Sequence, residues 1–115
     1  MSHVSTGLSL YHFDTCPYCV RVRRALKDLG LDLELKDILR DSAAHADLVA
    51  ATGRQSVPVL HIEDGDVWMP ESGDIVRFLY ERFGEGRAPP LWVRVNPQRV
   101  LIGAAALFAI FILLR

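Results

Sequence analysis

The sequence predicts an α/β domain in the order βαβαββα, followed by a C-terminal hydrophobic helix. Three observations predict it. Apolar residues recur alternately at strand and helix spacing, between turns marked by glycine, aspartate and proline. The two cysteines of the chain, Cys16 and Cys19, stand where an apolar run gives way to a helical pattern. Residues 100–114 form an unbroken apolar or glycine run closed by Arg115.

Each element follows in order. Leu8, Leu10, Tyr11 and Phe13 predict a strand over 8–13. From Val20, the positions Val22, Ala25, Leu26 and Leu29 recur at helical spacing, with Arg21, Arg23, Arg24 and Lys27 mostly on the other side and Gly30 as the stop. Residues 31–38 largely alternate, which predicts a second strand, parallel to the first and completing a right-handed βαβ unit. Asp41 and Ser42 are N-cap candidates for a short helix over Ala43 to Ala51, ended by Gly53. Residues 57–62 read as a strand, 63–66 as a hairpin turn and 67–69 as its antiparallel partner. Glu71 and Ser72 cap a third helix, with Ile75, Val76, Phe78, Leu79 and Phe83 inward and Gly84 as its end.

At 115 residues the chain allows one domain and a tail, and no second catalytic domain. A net charge of −1 gives no electrostatic reason to expect nucleic acid as a partner. The N-terminus lacks a basic region leading into an apolar core, so a cleaved secretory signal is not expected. In a reducing compartment a C-x-x-C pair serves catalysis or metal binding more readily than stapling. His12, His45 and His61 are scattered without ligand spacing, so they read as structural or surface residues and no metal is expected.

The chemistry centres on Cys16-Pro17-Tyr18-Cys19. If Cys16 caps the following helix, the unpaired N–H groups and positive dipole end there stabilise a thiolate. Pro17 then falls in the first turn, where its missing N–H costs nothing. Cys19 lies one turn on and deeper, within reach of a disulfide formed at Cys16.

Three motifs in order carry a family resemblance: Cys16-Pro17-Tyr18-Cys19, Ser56-Val57-Pro58 and Glu71-Ser72-Gly73-Asp74-Ile75. Together they resemble a glutaredoxin, with details similar to the N-terminal, glutathione-binding domain of glutathione transferases. The resemblance covers residues 8–84 and implies a thioredoxin-like fold over a domain of residues 1–84. It implies catalysis by Cys16 with Cys19 as resolving thiol, glutathione as co-substrate, and disulfide-bearing or glutathionylated proteins as substrates. It implies a glutathione groove built by Tyr18, Arg54, Val57, Pro58, Glu71 and Ser72. There a cis Pro58 brings the Val57 backbone beside the sulfurs and Ser72 receives the γ-glutamyl carboxylate. Glu71 or Asp74 would then meet the ammonium of the same group, and Arg54 the glycyl carboxylate. The plainer readings are a turn-entry proline, a capping serine and a solvated arginine. The lysine that many glutaredoxins carry before the first cysteine is replaced by Phe13-Asp14-Thr15. Arginines 21, 23 and 24 are the local cations that could stand in for it. Two other classes of function fit the same motifs: a glutathione-binding or iron-sulfur-bridging module, and a transferase or isomerase acting on a lipophilic substrate.

Residues 85–99, with Pro89-Pro90, read as a linker and juxtamembrane segment, and residues 100–115 as a hydrophobic helix. Fifteen residues of helix span about 22 Å against roughly 30 Å of hydrocarbon, a deficit that snorkelling by Arg99 and Arg115 and local thinning can absorb. With no polar face to leave in water, the segment is expected to be a membrane anchor. Arg87, Arg94, Arg99 and Trp92 before it predict a redox domain on the cytoplasmic side; the alternative is a soluble cytoplasmic protein.

Overall fold

A computed structural model describes the backbone of residues 3–94 and the side chains of residues 7–93. The elements are β1 (His3–His12), α1 (Pro17–Leu29), β2 (Leu31–Asp37), α2 (Ser42–Thr52), β3 (Val59–Ile62), β4 (Val67–Met69), α3 (Ser72–Phe83) and α4 (Leu91–Arg94). This is the predicted order with a short helix added. The hydrophobic helix expected over residues 100–115 lies outside the described residues.

The four strands form one sheet in the order β2-β1-β3-β4. β1 pairs parallel with β2, and β3 runs antiparallel to both β1 and β4. Alternation along β1 sends Leu8 and Leu10 to one face and Tyr11 to the other. The first face packs against α1 and α3 through Val22, Leu26, Leu60, Ile75, Val76 and Leu79. The second packs against α2, where Tyr11, Val59, Ala44, Leu48 and Ile38 form a smaller cluster. Helices on both faces thus leave the end of the sheet where β1 hands over to α1 free to carry a site.

Local chemistry explains the boundaries. Gly30 ends α1 at φ 65°, and Gly53 ends α2 at φ 72°, both in the left-handed region that glycine occupies without a Cβ penalty. Asp41 caps α2 by accepting from the N–H groups of Ala43 and Ala44 at 3.0 and 3.2 Å. At α3 the N-cap is Glu71, whose side chain makes no capping bond, and Ser72 is the first helical residue.

Three features differ from the pattern read in the sequence. β1 begins at His3 instead of Leu8, because backbone pairing of His3 and Val4 with Leu31 and Asp32 extends it through polar residues; the register shifts before Ser9. Leu35 continues the apolar alternation of β2 yet is 47% exposed, since β2 is an edge strand. Within the segment expected as a linker, Leu91–Arg94 form one helical turn after Pro89-Pro90. Val93 there is buried in the α1/α3 core, and its carbonyl accepts from Arg77 Nη2 at 2.7 Å.

Candidate active site

Cys16 is the N-cap of α1, with extended backbone angles of φ −69° and ψ 119°. Its N–H donates to the Phe13 carbonyl at 3.2 Å, closing the β1–α1 loop into a turn. Its sulfur accepts the N–H of Cys19 at 3.4 Å, so the thiol side chain does what a serine or aspartate does at other N-caps. Pro17 occupies the first helical turn, as the missing N–H predicts. Negative charge on this sulfur therefore meets an N–H donor and the positive end of a helix of 13 residues.

Both cysteines are free thiols. Cys16 is 5% exposed and Cys19 is fully buried. Burial, followed by the hydrogen bond that the Cys19 thiol gives to its neighbour Cys16, pushes the Cys19 thiol up to about 12; a backbone bond at Phe13 and the Arg23 cation act in the opposite direction. One sulfur thus sits at a helix N-terminus with an N–H donor, while the other is buried and held protonated beside it.

The Val57-Pro58 peptide bond is cis. It brings the Val57 carbonyl to 3.9 Å from Cys16 Sγ, which donates to it as a thiol. Pro58 is buried and Val57 is half-buried. Tyr18, between the cysteines, is 56% exposed. The Arg21 guanidinium lies 5.4 Å from the Tyr18 ring centroid and 5.1 Å from that of Trp92, joining the C-x-x-C turn to α4.

The other sequence-predicted residues lie in the α2–β3 loop and at the start of α3. Arg54 is exposed in the α2–β3 loop, where Thr52 Oγ1 bridges its backbone N–H and carbonyl. Glu71 is exposed and Ser72 half-buried at the start of α3, and Asp74 pairs with Arg77 at 3.8 Å. A hollow of about 380 Å³ on the α2 side, lined in part by Lys36, Asp47 and Trp68, includes none of the residues predicted for the site. Among the described residues no group of three or more His, Cys, Asp or Glu side chains is placed to hold a metal ion.

Two further residues belong to this region: Arg23, one of three arginines weighed as a local cation, and His12, expected to be structural or surface and found buried. Arg23 reaches back from α1 to the preceding loop: Nη2 donates to the Asp14 carbonyl at 2.8 Å, and Nη1 donates to the Phe13 carbonyl at 3.4 Å and meets His12 Nδ1 at 2.8 Å. His12 is buried, and burial together with the Arg23 charge holds it below the ordinary histidine value against the opposing pull of Asp37 and Asp14. It is therefore a neutral acceptor for the guanidinium. The spacing contained a signal for Arg23, which lies four residues after Cys19 and hence on the same helix face.

Comparisons with known proteins fit this geometry. The chain is 35% identical over 72 residues to Glutaredoxin 2 of Escherichia coli strain K12, an alignment covering 63% of this chain and 32% of that protein. It thus spans about a third of the length of that relative. It is 29% identical over 89 residues to a probable glutaredoxin of Synechocystis sp., covering 76% of this chain and 94% of that one. An epsilon-class glutathione S-transferase from the housefly, Musca domestica, superposes with a TM-score of 0.58 at 24% identity, covering 68% of this chain and 36% of that one, and carries the likeness of fold. Residues 10–101 match the family described as glutathione S-transferase, N-terminal domain. The sheet order, the cis Val57-Pro58 step and a match over most of the chain lead to one assignment: this protein belongs to the glutathione S-transferase N-terminal domain family, within the glutaredoxin and glutathione transferase group of thioredoxin-like folds.

Proposed function

We propose that the protein is a glutathione-dependent thiol-disulfide oxidoreductase that reduces glutathione mixed disulfides and protein disulfides, with Cys16 as nucleophile and Cys19 as resolving thiol. The observation that carries this reading is the asymmetry of the two thiols. Cys16 caps α1 and accepts the Cys19 N–H, while Cys19 is fully buried and held protonated. The glutaredoxin relatives lend it support.

In the monothiol route the Cys16 thiolate attacks the glutathione sulfur of a mixed disulfide. The new bond joins Cys16 to glutathione, the old bond breaks, and the substrate leaves as a thiolate that takes up a proton. A second glutathione then displaces Cys16 and leaves as glutathione disulfide. In the dithiol route Cys16 attacks a protein disulfide and one substrate sulfur leaves as a thiolate; Cys19 then displaces the other from Cys16, and two glutathione molecules reduce the resulting Cys16–Cys19 disulfide and leave as glutathione disulfide. Ionisation of Cys16 removes the S–H that donates to Val57, leaving the Val57 carbonyl available to the backbone of glutathione lying alongside as an added strand. In this reading Tyr18 and Pro58 line the groove. Arg54 receives the glycyl carboxylate, and Ser72 and Glu71 the γ-glutamyl end at the start of α3.

Turnover of a glutathione mixed disulfide by two variants tests the assignment. Cys16→Ser is expected to abolish it and Cys19→Ser to leave most of it. Activity retained without Cys16 would overturn the proposal. The family match favours one second reading, glutathione transfer to an electrophile. It predicts conjugating activity that survives Cys19→Ser and exceeds disulfide turnover.

The proposal extends to placement. Among the described residues no helix is long and apolar enough to cross a membrane. The apolar residues 100–114 lie beyond them, and their composition with the flanking Arg99 and Arg115 supports an anchor that keeps the redox domain at a cytoplasmic membrane face. Extraction of the full chain only by detergent is the expected result, and release by high salt alone would refute it.

A further inference from the structure

Of the three arginines that follow Cys19, one points away from solvent. Arg21 lies over Tyr18 and Trp92, and Arg24 is exposed, whereas the Arg23 side chain is 25% exposed and turns back along α1 toward the loop that delivers Cys16. There it meets the Phe13 and Asp14 carbonyls and the buried ring nitrogen of His12. The two carbonyls are consecutive, and a planar guanidinium with several donors in fixed directions suits them better than a single ammonium. Phe13 also accepts the N–H of Cys16, so the guanidinium bonds the same peptide that sets the N-cap turn. Arg23 is four residues after Cys19, which places the two side chains as neighbours on one helix face.

We infer that Arg23 is a positioning residue of the dithiol centre: by locking the β1–α1 loop and keeping a cation one helical turn from Cys19, it serves the step in which Cys19 resolves a mixed disulfide on Cys16. This rests on the function proposed above and adds a division of labour to it. In the resolving step the Cys19 thiol gives up its proton to solvent and its thiolate attacks the Cys16 sulfur. The Cys16–Cys19 bond forms, the bond from Cys16 to the substrate sulfur breaks, and the substrate leaves as a thiolate that is then protonated. The two cysteines are oxidised to a disulfide as the substrate disulfide is reduced. Once Cys16 is in a mixed disulfide it cannot ionise, so its charge no longer opposes a thiolate at Cys19. The opposition that burial sets up against a Cys19 thiolate is then countered by the Phe13 backbone bond and the Arg23 cation. The monothiol route never ionises Cys19, so it draws on Arg23 only through the loop.

The inference predicts unequal losses. Loss of the Arg23 cation lowers the thiolate fraction of Cys19, and a loop released from its clamp adds to that. Arg23→Met, which keeps the aliphatic stem, is therefore expected to slow resolution while monothiol turnover changes less. Arg23→Lys restores part of the loss, since it keeps the charge but not the two-carbonyl clamp.

The experiment uses the full chain with Cys16 loaded by 5,5′-dithiobis(2-nitrobenzoate), and follows release of the second thionitrobenzoate as Cys19 closes the disulfide. Monothiol turnover of a glutathione mixed disulfide is measured beside it. Slower release in Arg23→Met than in the parent, with partial recovery in Arg23→Lys and a smaller change in monothiol turnover, supports the inference. Equal losses in both assays, or unchanged release, overturn it. The release assay needs no enzymatic activity, so failure of the proposed function appears separately, as absence of glutathione mixed-disulfide turnover in the parent chain.

Discussion

Alkylation of the native protein at neutral pH should mark Cys16 and leave Cys19 untouched, and the size of the difference follows from the environment of Cys19. An ordinary cysteine stands at 9.0, and burial with the Cys16 hydrogen bond brings Cys19 to about 12. Three pH units lower its thiolate population about a thousandfold, while the more basic thiolate is about thirtyfold more nucleophilic, so the chemistry alone slows Cys19 by roughly thirtyfold relative to an ordinary thiol. Complete burial adds an opening step before any reagent reaches the sulfur. Cys16 keeps slight exposure and a donated N–H. Iodoacetamide at pH 7, followed by peptide mapping, is expected to give a single label at Cys16, with Cys19 reacting only on the timescale of local unfolding. Under denaturant the two rates should converge. Comparable native rates at the two positions would refute the account of Cys19 and, with it, the division of roles between the thiols.

Other perturbations read other parts of the molecule. His12 is buried as a neutral acceptor and its folded value lies below 6.5, so the unfolded chain takes up its proton first as pH falls. Its contribution is complete above about pH 6.5 and is lost on acidification toward the folded value, with a slope of up to about 1.4 kcal/mol per pH unit. Urea midpoints from pH 7.5 to 5 should show this decline, and His12→Asn should flatten it. Leu48→Ala empties a fully buried position between α2 and the sheet and should cost about 2–5 kcal/mol in chemical denaturation, without altering the Cys16 alkylation rate. Asp41→Ala removes two capping bonds from α2 and should cost about 1 kcal/mol by the same measurement.

Much of the fold was legible because its periodicities were local. The buried face of α1 is the set Val22, Ala25, Leu26 and Leu29 that helical spacing picks out, and Gly30 and Gly53 end their helices as expected. The start of β1 was not legible, since strand pairing draws on backbone groups that polar residues supply as well as apolar ones. Nor was α4, whose four residues are too few to show a period and whose helix depends on Val93 entering a core built by distant residues. At the site, the Cys16 cap and the contact with Val57 matched what the motifs implied. Arg23 and His12 did not stand out, because the bonds between them depend on how the loop folds back over α1. Among three nearby arginines, composition gives no preference.

The shared position of Arg21 has a mechanical consequence. One guanidinium rests on Tyr18, between the two cysteines, and on Trp92, in α4. Each such contact contributes on the order of 0.5–1 kcal/mol. Displacing either ring removes one of the two contacts that hold this cation. Motion of α4 is therefore shared between the core that holds Val93 and the cation beside the C-x-x-C turn, and a bulky group docked on Tyr18 bears on the cation that touches α4.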